Sequence, residues 1–211
     1  MEAITNLSSF IMAGILLNLT PGQDTIYILG RSIAQGRKAG IFSVLGISTG
    51  ALFHIAASAF GLSAILMTSA VVFSIIKYAG AGYLVYLGIR MYFGKKSDLN
   101  VKGEYNSNTK LSAIYKQGIL TNVLNPKVAL FFLAFLPQFI DPSRASGPFP
   151  FLILGSIFLT TGTIWCLVVA VFSSYLTTVL RRKMNIMRFM EKICGGIFIM
   201  LGIKLALEKI D

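Results

Sequence analysis

Charged side chains are scarce in this chain. Asp, Glu, Lys and Arg make up 13% of its 211 residues, about half of what a soluble globular domain carries. That excludes an ordinary soluble fold, and a mean hydropathy of +0.74 agrees. Histidine occurs once, as His54, too few for a His-based metal cluster. The two cysteines, Cys166 and Cys194, lie inside apolar runs and read as small buried hydrophobes, so neither a disulfide nor a metal site is expected. A membrane-embedded enzyme needs a nucleophile with a base, or paired acids at helical spacing. Asp24 is the only acid well inside an apolar run, so no catalytic residue, metal or cofactor is assigned. The apolar runs do not alternate, which excludes a transmembrane barrel. The first run has no basic leader and no small-residue cleavage site, so it is expected to be retained rather than removed as a signal.

What is present is a series of apolar runs near the ~20 residues that a bilayer-spanning helix needs. Six spans are predicted, over Ser8–Leu29, Ala39–Phe60, Ala70–Phe93, Gly118–Ile140, Phe149–Tyr175 and Met190–Leu207. The expected fold is an all-α polytopic membrane protein in one transmembrane domain, residues 1–211. A short uncharged turn at Met67-Thr68-Ser69 joins spans two and three. The polar stretch Gly94–Ser112 separates three and four, and Gly147-Pro148-Phe149-Pro150 opens span five.

The net charge of +11 suggests nucleic acid only until its distribution is read. Arg31, Arg37 and Lys38 lie between spans one and two. Arg90, Lys95, Lys96, Lys102, Lys110 and Lys116 lie between or beside three and four. Arg181, Arg182, Lys183, Arg188 and Lys192 lie between five and six. Fourteen of the 19 basic residues thus fall on alternate links, so the positive-inside rule places those links in the cytoplasm and both termini outside. The partner this implies is the lipid bilayer, with no nucleic acid.

The halves resemble each other. Gly14-Ile15-Leu16-Leu17-Asn18 matches Gly118-Ile119-Leu120-Thr121-Asn122, and a proline follows each within four residues. Leu87-Gly88-Ile89-Arg90 matches Leu201-Gly202-Ile203-Lys204, with Gly82 and Gly196 at the same offset. A three-span repeat is odd, so the second copy must insert upside down. Repeat one is about 1–93, a loop about 94–112, and repeat two about 113–211. Interrupted helices at matching positions of inverted repeats point to the binding site of a secondary transporter.

The interruptions are Thr20-Pro21-Gly22-Gln23-Asp24 and Asn125-Pro126-Lys127. Proline at 21 cannot donate to the Leu17 carbonyl and crowds it, and broken backbone at membrane depth persists only where protein or a water-filled cavity satisfies it. Thr20 is the expected N-cap of the next half-helix, with Pro21 at its first position and Gln23 completing a capping box. Asn125 is the N-cap of the second, before Pro126. Two opposed half-helix starts would form an anion site for a substrate carboxylate, and the freed carbonyls of Leu17 and Asn122 would accept from an ammonium or a water. Asp24 either steadies its helix start or, as an intramembrane acid, pairs with a substrate ammonium or carries a coupling proton. Lys127 opposes its own helix dipole, so it needs Asp24, a substrate carboxylate or a path to the interface. Asn18 and Asn122 bind substrate or bridge helices. His54, Gly80, Gly82, Gly195 and Gly196 read as helix contacts.

Thr20-Pro21-Gly22-x-Asp24, Gly30-Arg31, Gly36-Arg37-Lys38-Ala39-Gly40 and Leu45-Gly46 resemble the LysE/RhtB family of amino-acid exporters. So do Gly80-Ala81-Gly82-Tyr83-Leu84-x-Tyr86-Leu87-Gly88 and the run from Asn125-Pro126-Lys127 to Pro137-Gln138-Phe139. The resemblance covers nearly the whole chain. It implies a bacterial inner-membrane exporter of amino acids or close derivatives, driven by proton exchange, with self-association left open. Where the family commonly has a second proline, position 23 is Gln, so homoserine or threonine is not carried over as substrate. One Asp24 opposite one Lys127 suits a neutral zwitterion. The competing readings are a metal-cation exporter of the same superfamily, which the near-absence of His disfavours, and a passive channel.

The orientation has a direct test. A reporter active only in the periplasm, fused after Asp211, is expected to be active, and a cytoplasm-dependent one silent. The reverse pattern would overturn the assignment.

Overall fold

In the computed structural model, residues 3–64, 70–93, 108–141, 144, 147–173 and 184–207 are described. They are helical with short connections and, among them, no strand. Helix α1 spans Leu7–Leu19 and α2 Gln23–Ala56, which continues as a π-helical turn, Ala57–Leu62. Helix α3 is Ala70–Phe93 and α4 is Leu111–Val123. Helix α5, Pro126–Leu130, runs on as a π turn, Phe131–Phe135, and a 3-10 turn, Leu136–Phe139. Helices α6, Phe149–Val171, and α7, Met184–Leu207, complete the set.

Within α2 the chain turns back on itself. Gly36 has φ +79° and ψ −178°, a conformation open essentially to glycine alone. A Cβ at Gly40 would run into the hydroxyl of Ser32, although eight residues of straight helix would separate them by ~12 Å. The two limbs of α2 therefore approach each other across this turn. Ser32 and Ala39 are buried at this turn.

Small residues set the helix spacing. A Cβ at Gly46 would collide with the Tyr115 carbonyl, and one at Gly118 would lie 2.9 Å from the Ser43 carbonyl, so α2 and α4 touch backbone to backbone. Gly88, Gly195 and Gly202 do the same between α3 and α7. Lipid tails are as apolar as the helices, so close packing of this kind replaces hydrophobic expulsion as the source of association. Gly82 and Gly196, expected to be close contacts, face open space instead. A second packing centre is aromatic: Phe10 of α1, Phe131, Phe132 and Phe135 of the π turn, Phe139, and Phe158 of α6 form one cluster. Phe131 and Phe158 stack with centroids 4.2 Å apart. Near it the N-terminal segment pairs with the end of the second broken helix, with Thr5 N–H donating to the Phe139 carbonyl at 2.9 Å and Asp141 N–H to Ala3 at 2.8 Å.

The outer surface is apolar. Phe53, Phe60 and Phe149 are 59%, 65% and 70% exposed, which water would penalise and lipid does not. Gln23–Leu62 and Phe149–Val171 are long and apolar enough to cross a membrane, and Leu111–Val123 with Pro126–Phe139, bent by 45°, adds a third as one broken span. This is a multi-pass membrane protein. Three boundaries differ from expectation. The fourth span starts at Leu111 rather than Gly118. The fifth ends at Val171, with Tyr175 outside the described residues. The sixth starts at Met184, so Arg188 and Lys192 belong to α7 rather than to a link. Most of the 94–112 loop, the turn at 67–69, and Arg181, Arg182 and Lys183 also lie outside the described residues.

No neighbour lies within 4 Å of a Cβ at Gly36, so Gly36→Ala is expected to destabilise through backbone strain alone, by roughly 1–3 kcal/mol. Gly82→Ala, in open space within α3, should change stability by no more than about 1 kcal/mol. Melting temperatures of the purified variants in detergent check both, and equal shifts would contradict the hairpin.

Candidate functional site

The two breaks meet. At the end of α1 the chain leaves the helix at Thr20, whose hydroxyl donates to the Leu16 carbonyl at 2.8 Å. The carbonyls of Leu17 and Thr20 both accept from the Lys127 ammonium, at 2.8 and 2.7 Å. Gly22 lies against the same side chain, where a Cβ would be 3.5 Å from Lys127 Cδ. A lysine in the first turn of α5 is unfavourable for α5, but its charged end sits at the C-terminus of α1, where the helix dipole favours a cation. Lys127 is thus a cap for a different helix.

The expected N-cap geometry holds for one break and fails for the other. Asn125 caps α5, its Oδ1 accepting from Lys127 N–H at 3.0 Å with Pro126 next in line. At the first break α2 starts at Gln23 with Gly22 in the cap position and no side-chain cap. Thr20 faces back to α1 instead, because Pro21 and Gly22 both lie between it and the new helix. Gln23 is exposed and completes no capping box. At the second half-helix start Asn125 occupies the Lys127 N–H, whereas the start of α2 carries no side-chain cap.

Asp24 stands in the first turn of α2. Its Oδ2 accepts from Asn122 Nδ2 of α4 at 2.8 Å, a link between α2 and α4. Its Oδ1 is buried with no hydrogen-bond partner among the described residues. The Asn122 carbonyl is held by His54 Nε2 at 3.0 Å, and the His54 ring stacks on Phe132 with centroids 5.9 Å apart, the helix contact expected of it. Asn18 reaches the other way, its Nδ2 donating to Thr161 Oγ1 of α6 at 3.3 Å.

These groups line two small adjoining clefts. Thr20, Gly22, Asn125 and Lys127 face the first and Asn122 the second, while Asp24 and Asn18 face both. Pro21, Gln23 and Pro126 line neither. Helix α6 supplies a wall that motif reading missed. Phe158 and Cys166 face both clefts, Trp165 the first and Thr163 the second. Thr163 shares a 2.9 Å hydrogen bond with Ser48 of α2. The available signal was polarity: Thr160-Thr161-Gly162-Thr163 interrupts an otherwise apolar helix. Among the described residues no group of three or more His, Cys, Asp or Glu could hold a metal ion.

Comparison with known proteins gives the following. The family model described as "LysE type translocator" matches residues 15–209. An uncharacterized membrane protein of Bacillus subtilis, YrhP, is 30% identical over 96% of this chain and 99% of its own length. An uncharacterized membrane protein of Vibrio cholerae is 32% identical over 95% and 96%. A leucine efflux protein of Salmonella typhimurium is 25% identical over 96% and 95%. No solved structure matches the chain.

Asn125→Ala removes the α5 cap and is expected to cost about 0.5–2 kcal/mol. Thermal unfolding in detergent measures it. No change would mean that the break is held by Lys127 alone.

Proposed function

This chain belongs to the LysE type translocator family, and on that premise we propose that it is a secondary transporter exporting amino acids or close derivatives across the bacterial inner membrane. The observation that carries the reading is the bare Asp24 Oδ1, buried where two broken helices meet in a cleft. An acceptor left unpaired there costs free energy that a substrate ammonium or a proton would recover. The leucine efflux protein among its relatives supports an amino acid as cargo.

The turn at Gly36 supports a reading in six spans, with α1 and the first limb of α2 as one broken span and the second limb as the next. Helix α3, the bent pair α4–α5, α6 and α7 supply the other four. The two broken spans open two inverted three-helix repeats, and both termini face outward. The Asp24–Asn122 hydrogen bond and the Lys127 contacts cross between those repeats, where alternating access requires a site. Asp24 binds either the substrate ammonium or a proton. Since one oxygen cannot hold both, outward movement of substrate alternates with inward movement of a proton, which is antiport. Lys127 keeps the cleft electropositive beside Asp24 and holds the end of α1 in place.

Asp24→Asn preserves an acceptor for Asn122 while removing the charge, so the fold is retained. Export from cells preloaded with labelled amino acids is expected to fall by roughly tenfold or more at equal membrane expression, the loss of one charged hydrogen bond. Unchanged export would return Asp24 to a helix-start role. If the wild type exported no amino acid beyond the vector control, the exporter reading itself would fail.

A further inference from the structure

The side chain of Asn18 lines both clefts, and α6 holds it there through Thr161 and Gly162. The Thr161 hydroxyl donates within its own helix, with the Ile157 and Phe158 carbonyls at 3.0 and 3.1 Å. A hydroxyl has one hydrogen to give, so toward Asn18 it can only accept. The amide is thereby oriented: Nδ2 donates to Thr161 Oγ1 at 3.3 Å, and Oδ1 is turned away from that oxygen. Oδ1 accepts no hydrogen bond among the described residues, and, unlike Asp24 Oδ1 and Asn122 Oδ1, it is not buried. Gly162 leaves room for this arrangement. It lines the second cleft, and a Cβ there would stand 3.2 Å from Asn18 Oδ1, 3.3 Å from Nδ2 and 3.4 Å from Cγ. An added methyl group would press on the whole amide, whereas glycine lets it rest against α6.

We infer that Thr161 and Gly162 are positioning residues that present Asn18 Oδ1 to the substrate as an acceptor for its ammonium group. The inference deepens the exporter reading, on which it rests. An amide oxygen can only accept, so it selects an N–H and not a carboxylate. An ammonium has three N–H groups, so one given to Asp24 leaves others for Asn18, and both side chains line both clefts. Turning the amide over would set Nδ2 against the ammonium, donor against donor. It would also lose the bond to Thr161, whose hydrogen is already given to α6.

Uptake of the standard labelled amino acids into everted membrane vesicles, each supplied singly, tests this. For whichever of them the wild type transports, Asn18→Ala and Thr161→Val are each expected to raise KM about tenfold with little change in kcat. Valine keeps the shape of the threonine and removes the acceptor. Thr161→Ser retains the hydroxyl and should keep the wild-type KM. Gly162→Ala, which displaces the amide, should raise KM in the same direction. Introduced into Asn18→Ala, neither Thr161→Val nor Gly162→Ala should raise KM further, because the group they position is gone. Additive losses in that background, a raised KM for Thr161→Ser, or a wild-type KM for Asn18→Ala, Thr161→Val or Gly162→Ala would overturn the inference and leave the exporter reading standing. Uptake of none of the amino acids by the wild type would remove both.

Discussion

The lysine ammonium of α5, resting on the last carbonyls of α1, is the contact on which the centre of this protein depends. A proline at 21 and a glycine at 22 end a helix inside an apolar run and leave carbonyls that lipid cannot satisfy. Lys127 supplies the missing donors from the other half of the chain, and each such charged hydrogen bond is worth about 1.5–3 kcal/mol. Each break therefore completes the other: Pro126 and Asn125 start the helix that carries Lys127 to where the first break needs it. This arrangement also explains why a lysine tolerates the first turn of a helix whose dipole repels it.

Around that contact polar groups are placed sparingly and almost all are spoken for. Asn122 links to Asp24 through its side chain and to His54 through its carbonyl. Asn18 bonds to Thr161, and Ser48 to Thr163. Farther along the first limb of α2, Arg31 binds Gln117 at 2.6 Å and Tyr27 donates to the Ile114 carbonyl at 2.7 Å, so α4 is held by side chains as well as by glycine contacts. The exceptions include Asp24 Oδ1, Asn122 Oδ1, Ser32 Oγ and Trp165 Nε1, each buried without a hydrogen-bond partner among the described residues.

Two kinds of information were legible in the residues. Composition and run length determined that the chain is helical and membrane-embedded, since a bilayer admits few backbone solutions and all of them need long apolar runs. Proline, with its missing N–H, marked both breaks, and Asn125 was readable as a cap because capping is local, set by residues two apart. The family was legible too, in motifs from Thr20 to Phe139. Local rules failed at the first break. There a threonine, a glutamine and a proline at capping-box spacing did not make a capping box, because the hydroxyl found a nearer carbonyl behind it.

What only tertiary structure decided is which distant groups share a space. Asp24 and Asn122 are 98 residues apart and Lys127 and Leu17 are 110, and no periodicity specifies such pairings. The wall on α6 was hidden for the same reason: Trp165 and Cys166 are ordinary residues of an apolar helix until α1, α2 and α5 close around them. The sequence by itself determined the elements and the places where they break, because those follow from backbone chemistry within a few residues. The folded chain decided which groups the breaks bring together, because burial, charge pairing and an unsatisfied atom exist only once separate helices are packed together.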